Sequence, residues 1–189
     1  SNIGNRQKSI QECINALHHE IATVIKVSNL YETPAWGFES DAFLNCVLLV
    51  HSSKTPQKIL AQIQKLEKNL GRNKSKSQNY EPRTIDIDII SINEDIFDLE
   101  NLQVPHKQMH KRKFVLQPML DLQLNWIHPV FKKSISELIH SCEDKSECVL
   151  NSKLDSPIDL LNLEKYNYIA IEGNIGAGKT TLATKISED

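Results

Sequence analysis

The chain has 189 residues, of which 40% are hydrophobic and 24% charged, with a formal net charge of -2. This composition excludes wholesale disorder, and with only 6 glycines and 7 prolines it also excludes a collagen-like or low-complexity chain. The near-neutral charge argues against broad binding of polyanions, and the length exceeds one typical domain without reaching two.

Membrane insertion and secretion have no signal in this sequence. The longest nearly apolar run, Phe43 to Val50, is far shorter than the ~20 residues that span a bilayer. The first residues contain no apolar signal region. Four cysteines form no C-x-x-C pair, which predicts reduced thiols and a cytoplasmic protein without membrane partners; a Cys142–Cys148 disulfide is the alternative.

Helices and strands alternate in the first part of the chain. Apolar residues with helical spacing predict a helix over Arg6 to His19. Thr23 to Tyr31 and Phe43 to His51 are predicted strands, separated by a loop that contains proline and glycine. Residues 55–71 predict a long helix, because a threonine N-cap precedes a proline and a glycine closes the pattern.

The next part of the chain indicates the fold class. After a basic loop, residues 84–90 alternate with the period of a strand. The order helix, strand, strand, helix, strand lacks only a leading strand of the split βαβ pattern of a ferredoxin-like α+β domain. A Val-Pro-His turn and short helices follow, one of them over 134–141. The sequence therefore predicts a first domain over 1–150 with C-terminal additions, a linker over 151–165 and the start of a second domain over 166–189.

A pair of carboxylates stands out in the predicted strand 84–90. Asp86 and Asp88 are two residues apart, so both side chains project from one face, while isoleucines occupy the other. Two such close carboxylates repel each other unless a cation lies between them, and Mg²⁺ commonly takes one or two carboxylates plus substrate phosphates. The alternative is a half-solvated strand with polar residues facing outward.

Two basic clusters flank this pair and favour a metal–polyphosphate ligand, whose oxygens Arg and Lys would neutralise. For each cluster taken alone, a solvated surface remains the alternative. The first cluster contains Arg72, Lys74, Lys76 and Arg83, and the second contains His106, Lys107, His110, Lys111, Arg112 and Lys113.

Aromatic and amide side chains form a third group. Trp36 and Phe43 flank the loop with proline and glycine, Asn45 follows on the strand, and Phe114 closes the second basic cluster. Flat rings with one amide could stack a planar heterocycle and contact its edge. The alternative is that these rings belong to the core.

Five motifs stand in an order that points to a known family: Thr33-Pro34-x-x-Gly37, Phe43-Leu44-Asn45, Gln64-x-x-Glu67-x-x-x-Gly71-Arg72, Pro82-Arg83-Thr84-Ile85-Asp86-Ile87-Asp88 and Val104-Pro105-His106. Over roughly residues 1–145 the chain closely resembles the 6-hydroxymethyl-7,8-dihydropterin pyrophosphokinases of folate biosynthesis. The opening residues resemble the end of the first strand of that family, so the sequence predicts a domain without that strand.

The resemblance implies an enzyme that transfers diphosphate from ATP to the pterin, releasing AMP, with small-molecule substrates and no nucleic acid. It also implies roles for individual residues. Asp86 and Asp88 would bind two Mg²⁺ ions, and Arg72 and Arg83 would act in catalysis. Pterin binding would use Thr33, Pro34, Phe43, Asn45 and Phe114, and ATP binding would use Gln64, Glu67, Lys74, His106 and Arg112.

A second motif lies near the C-terminal end. Gly173-Asn174-Ile175-Gly176-Ala177-Gly178-Lys179-Thr180 matches the phosphate-binding P-loop, between a predicted strand and a predicted helix. Its amide groups and Lys179 would hold phosphates, and the Thr180 hydroxyl would bind Mg²⁺. The sequence around Gly173 and Gly178 resembles that of deoxynucleoside kinases. We therefore expect the first βα unit of a P-loop α/β domain fused to the pterin domain.

Three functions follow from these patterns: the pterin pyrophosphokinase, a deoxynucleoside kinase, and a ferredoxin-like RNA-binding module. An RNA-binding sheet stacks bases on aromatic residues of its central strands. The predicted strand 84–90 has no aromatic residue, and its outward carboxylates would repel phosphate. The sequence therefore favours the pyrophosphokinase, with the deoxynucleoside kinase as the alternative.

Overall fold

The computed structural model describes residues 1–36, 40–71 and 84–157, which belong to one unit of the chain, Ser1–Ile158. This part mixes helices and strands, as predicted. Its helices are α1 (Arg6–Glu20), α2 (Pro56–Asn69), α3 (Lys113–Asp121) and α4 (Ile135–His140). Its strands are β1 (Thr23–Val27), β2 (Leu30–Thr33), β3 (Phe43–Asn45), β4 (Leu48–His51), β5 (Phe97–Leu99), β6 (Leu102–Val104) and β7 (Val149–Ser152), and a 3-10 turn covers Met109–Lys111.

The two long helices begin and end where the sequence predicts. Asn5 caps α1 by accepting a hydrogen bond from the Lys8 N–H at 3.1 Å. Thr55 caps α2, and Pro56 occupies its first turn. Gly71 follows α2 with φ +91°, a conformation that favours glycine. These caps explain why both helix predictions are confirmed to within a residue or two.

The two long predicted strands are each interrupted in the middle. Residues 23–31 form β1 and β2, and residues 43–51 form β3 and β4. At the break, the Ser28 hydroxyl accepts a hydrogen bond from the Val47 N–H at 2.9 Å, replacing a ladder carbonyl. β1 then pairs antiparallel with β4, and β2 with β3 in a different sheet. The prediction of two unbroken strands was wrong because a side chain takes part in the ladder.

Residues 84–90 alternate as predicted but join no strand ladder within the described residues. Ile85 is buried in the core, whereas Asp86 and Asp88 are exposed. The N–H of Ile87 donates to the side chain of Glu67 at 2.8 Å. A carboxylate thus replaces the neighbouring strand at this position, while the division into an apolar and an acidic face is confirmed.

Two apolar clusters form the interior. The first packs α1 and α2 against β1, β2 and Ile85, and the second contains Met109 with α3 and α4. Asp121, at the end of α3, accepts hydrogen bonds from the Asn29 N–H and the Tyr31 hydroxyl, both at 3.0 Å, and so joins α3 to β2. The predicted helix over 134–141 is confirmed as α4, which begins with a capping box.

Residues beyond 150 extend this fold. β7 pairs antiparallel with β2, so the first residues of the predicted linker lie in a sheet. Farther on, the Gln11 side chain donates to the Asp155 carbonyl at 3.0 Å and accepts from its N–H at 2.9 Å. β7 is an edge strand with exposed side chains, so its segment can carry polar residues. Those polar residues led the sequence to predict a linker.

Two further predictions concern cysteines and membranes. All four cysteines are free thiols, as predicted, and the Cys142–Cys148 disulfide is not formed. Among the helices of the described part of the chain, none has the length and apolar character needed to cross a bilayer.

Candidate active site

The polar end of the β2–β3 pair holds the first part of the site. Thr33 pairs with Phe43 across the two strands, and Tyr31 pairs with Asn45. The Asn45 amide donates to the Thr33 hydroxyl at 2.8 Å. Among residues 1–36, 40–71 and 84–157, no further hydrogen bond is seen to the Thr33 hydroxyl hydrogen or the Asn45 carbonyl oxygen, so both can serve a ligand. The structure therefore brings together Thr33, Phe43 and Asn45, three residues expected to bind the pterin.

Arg112 occupies the centre of the site. It immediately precedes α3, and only 9% of its surface is exposed. The Cζ atom of Arg112 lies 5.1 Å from the centroid of the Trp36 ring and 5.6 Å from the centroid of the Phe114 ring. Its Nη2 donates to the Gln108 side chain at 2.7 Å. Both rings lie within the ~6 Å at which a cation is attracted to an aromatic face.

The acidic face lies beside this arginine. Nη1 of Arg112 is 4.0 Å from Oδ2 of Asp88. His106 belongs to the same group: burial lowers the pKa of its imidazole, the Asp88 carboxylate opposes that shift, and the Arg112 charge adds to it. Nδ1 of His106 accepts a hydrogen bond from the Gln108 N–H at 3.2 Å, which leaves Nε2 for other partners. Residues expected to bind metal and nucleotide thus meet at one place.

Glu67, which the family resemblance assigns to ATP binding, lies behind the acidic face. It is buried on α2, with 5% of its surface exposed, and its carboxylate accepts the N–H of Ile87 between the two aspartates. Gln64 is exposed on the same helix, and Pro34 is exposed in the loop after β2. The structure shows no contact that joins Gln64 or Pro34 to Arg112. Helical periodicity was the available signal, because Glu67 falls on the apolar stripe of α2 with Ile63, whereas Gln64 does not.

The sequence missed Gln108 as part of the site. Its side chain holds the Arg112 guanidinium and its N–H holds His106. Gln108 and Arg112 flank the 3-10 turn Met109–Lys111, and no pattern in the sequence predicted this contact. No group of three or more potential metal-ligating side chains occurs among the described residues. The remaining predicted site residues lie outside the described residues: Arg72, Lys74, Arg83, Gly173, Gly178, Lys179 and Thr180.

Comparison with known proteins decides the family. A family model described as 7,8-dihydro-6-hydroxymethylpterin-pyrophosphokinase (HPPK) matches residues 1–124. The chain belongs to the HPPK family. HPPK enzymes are ATP-dependent diphosphotransferases that act on 6-hydroxymethyl-7,8-dihydropterin in folate biosynthesis, so the predicted function is confirmed at this level.

Relatives agree with this assignment. An HPPK from Aquifex aeolicus is 39% identical over 138 residues, covering 72% of this chain and 84% of the relative. An HPPK from Bacillus subtilis is 39% identical over 124 residues, covering 65% and 73%. The bifunctional protein FolKE from Lactococcus lactis is 41% identical over 124 residues, covering 65% of this chain and 35% of the relative. These comparisons give no support to the alternative function, the deoxynucleoside kinase.

Proposed function

We propose that this protein carries out the HPPK reaction at the site around Arg112. The observation that carries the proposal is the position of this buried guanidinium, which lies near the Asp88 carboxylate and near the rings of Trp36 and Phe114. A cation next to a carboxylate and aromatic rings suits a reaction between a metal–polyphosphate and a flat heterocycle.

Asp86 and Asp88 are the proposed ligands of Mg²⁺. Both are exposed on one face, and carboxylate oxygens combined with substrate phosphates are the ligands that Mg²⁺ commonly takes. A pair of carboxylates therefore fits an ion that arrives with ATP. The family resemblance implies two ions, which would neutralise charge on the phosphates.

The pterin would lie against Phe43 and Phe114, with Thr33, Pro34 and Asn45 along its edge. The hydrogen bond between Asn45 and Thr33 supports this proposal, because it orients one donor and one acceptor at the end of the β2–β3 pair. Buried polar groups of this kind give specificity, since an analogue without matching atoms leaves them unpaired.

In the proposed reaction, the hydroxymethyl oxygen of the pterin attacks the β-phosphorus of ATP. A P–O bond forms, the bond from the β-phosphorus to the bridging oxygen of the α-phosphate breaks, and AMP leaves with the bonding electron pair. The hydroxyl proton passes to solvent. This chemistry asks the protein mainly for positioning and charge stabilisation. Arg112 and His106 would contribute from the described residues, with Gln64 and Lys74 also at the nucleotide and Arg72 and Arg83 at the reacting phosphates.

The finer predictions on architecture stay proposals. They are a ferredoxin-like split βαβ core, a boundary between domains and a P-loop unit resembling deoxynucleoside kinases over 166–189. The four free thiols support the proposed cytoplasmic location.

The decisive experiment identifies the nucleotide product. The chain is incubated with ATP, Mg²⁺ and 6-hydroxymethyl-7,8-dihydropterin, and the nucleotides are separated by chromatography. Formation of AMP in equal amount to pterin diphosphate is expected, whereas ADP would contradict the proposal. Asp86→Asn and Asp88→Asn should each reduce turnover at least ~100-fold, because the metal would lose a charged ligand. Asp95→Asn, at an exposed carboxylate, is the matched control and should retain full activity.

A further inference from the structure

Trp36 lies where two parts of the proposed site meet. It follows β2 in the same loop as Pro34, and its ring covers the guanidinium of Arg112 at 5.1 Å. Arg112 belongs to the other side of the site, next to Asp88. The Trp36–Arg112 contact therefore joins the loop proposed to bind the pterin to the group proposed to bind the metal and ATP.

The guanidinium is held on several sides but retains unused donors. Gln108 accepts from Nη2 at 2.7 Å, and the rings of Trp36 and Phe114 lie near the charge. Nε of Arg112 is buried and has no hydrogen-bond partner among the described residues. A guanidinium in such a poorly solvated place is stabilised when an anionic oxygen lies beside it.

We propose that Trp36 is a positioning residue for the HPPK reaction, because its ring holds the Arg112 guanidinium in an orientation in which the guanidinium can donate to a phosphate oxygen of ATP. The proposal rests on the function proposed above and adds a residue that acts through another. In this role Trp36 acts through Arg112 and is assigned no contact with the reacting atoms.

An aromatic ring suits position 36 because it attracts the positive charge of the Arg112 guanidinium. Mg²⁺ bound by Asp88 would repel a guanidinium whose Nη1 lies 4.0 Å from that carboxylate. A ring face attracts the cation without competing for its N–H donors, and it excludes water from one side. Leucine would fill similar space without this attraction, whereas phenylalanine would retain most of it.

The kinetic test compares Trp36→Leu with Trp36→Phe. We expect Trp36→Leu to lower kcat about five- to thirty-fold with a smaller change in the KM for the pterin, and Trp36→Phe to restore most of kcat. The matched control is Phe131→Leu, at a half-exposed ring that contacts His110 and His128 instead. It should leave kcat unchanged. A loss in Trp36→Leu that Trp36→Phe does not restore would overturn the proposal.

Two further measurements test the path through Arg112. In an Arg112→Ala background, Trp36→Leu should cause no further loss of kcat, and an equal loss in both backgrounds would overturn the proposal. Calorimetric titration with α,β-methylene-ATP and Mg²⁺ should show weaker binding in Trp36→Leu than in Trp36→Phe, and equal affinities would count against the role. If the unsubstituted chain forms no AMP, the proposed function fails. If the unsubstituted chain forms AMP and Trp36→Leu has the same kcat, only the proposed role of Trp36 fails.

Discussion

The carboxylate of Glu67 accepts a hydrogen bond from the backbone N–H of Ile87 at 2.8 Å. Ile87 separates Asp86 from Asp88, so a buried side chain of α2 holds the backbone that presents both proposed metal ligands. The acidic pair therefore depends on a buried carboxylate of α2, a residue that the family resemblance assigns to ATP binding.

This relationship predicts different outcomes for two substitutions at Glu67. Glu67→Ala removes the acceptor and leaves a buried N–H unpaired, so unfolding free energy should fall by about 1–3 kcal/mol, and more Mg²⁺ should be needed for half-maximal activity. Glu67→Gln retains an acceptor oxygen, so it should lower the unfolding free energy less and raise the Mg²⁺ requirement less. Urea unfolding and Mg²⁺ titration of activity measure the two effects. Lys65→Ala, exposed on the same helix, is the control. Unchanged Mg²⁺ dependence in Glu67→Ala would contradict the role.

A second prediction concerns the link between α3 and β2. The Tyr31 hydroxyl donates to the Asp121 carboxylate, and burial raises the pKa of that hydroxyl above its ordinary value. Tyr31→Phe should lower the free energy of unfolding by about 1–3 kcal/mol, because a hydrogen bond to a charged group is lost in a buried place. Urea unfolding measures the loss. The same change in an Asp121→Asn background should cost less, and an equal cost would show that the two residues act independently.

The third prediction concerns pH. His128 is buried, and burial, aided by the neighbouring His110, lowers the pKa of its imidazole below 6.5. Its Nδ1 accepts the N–H groups of Val130 and Phe131 at 3.2 and 3.3 Å, which stabilises a neutral ring. Below about pH 6.5 the unfolded chain therefore binds more protons than the folded one, and stability should fall as the pH falls.

Unfolding midpoints between pH 7.5 and 5 should show this decline, and His128→Asn should flatten it in the upper part of the range. Titration of the ring protons by NMR provides the direct measurement, with the urea-unfolded chain as reference. A folded-state pKa at or above the unfolded one would contradict the prediction.

The fourth prediction concerns thiol reactivity. Burial raises the pKa of Cys13 to about 12 and that of Cys46 to about 12. Because the thiolate is the nucleophile, both should react slowly with iodoacetamide at pH 8 in the folded chain and rapidly in guanidinium chloride. Mass mapping of labelled peptides reports each site separately. Rapid labelling of Cys13 in the folded chain would show that its surroundings open more readily than the structure indicates.

The sequence predicted those parts of the fold that local rules determine. Threonine and proline at one end and glycine at the other determine α2, and a capping box determines α4. The break at Ser28 was not predictable. The Ser28 hydroxyl accepts the Val47 N–H in place of a backbone carbonyl, and this happens only when two distant segments meet. The same reason applies to the edge strand β7, whose polar residues have no distinctive pattern.

Within the site, the sequence identified residues more readily than their relations. The order of motifs indicated Asn45 and Asp88, and the second basic cluster together with the family resemblance indicated Arg112. It could not show that a tryptophan ring covers Arg112, or that Gln108 orients it, because those contacts depend on how the loop after β2 folds toward the start of α3.

β7 has a consequence for the handling of this protein. It lies outside the family match over 1–124, yet it pairs with β2 along one edge of the three-stranded sheet. A protein shortened to the matched residues would present the unpaired N–H and C=O groups of β2, and such open edges recruit strands from other molecules. The segment after the family match thus completes the hydrogen bonding of β2, and a shortened version of the protein should extend at least through Ser152.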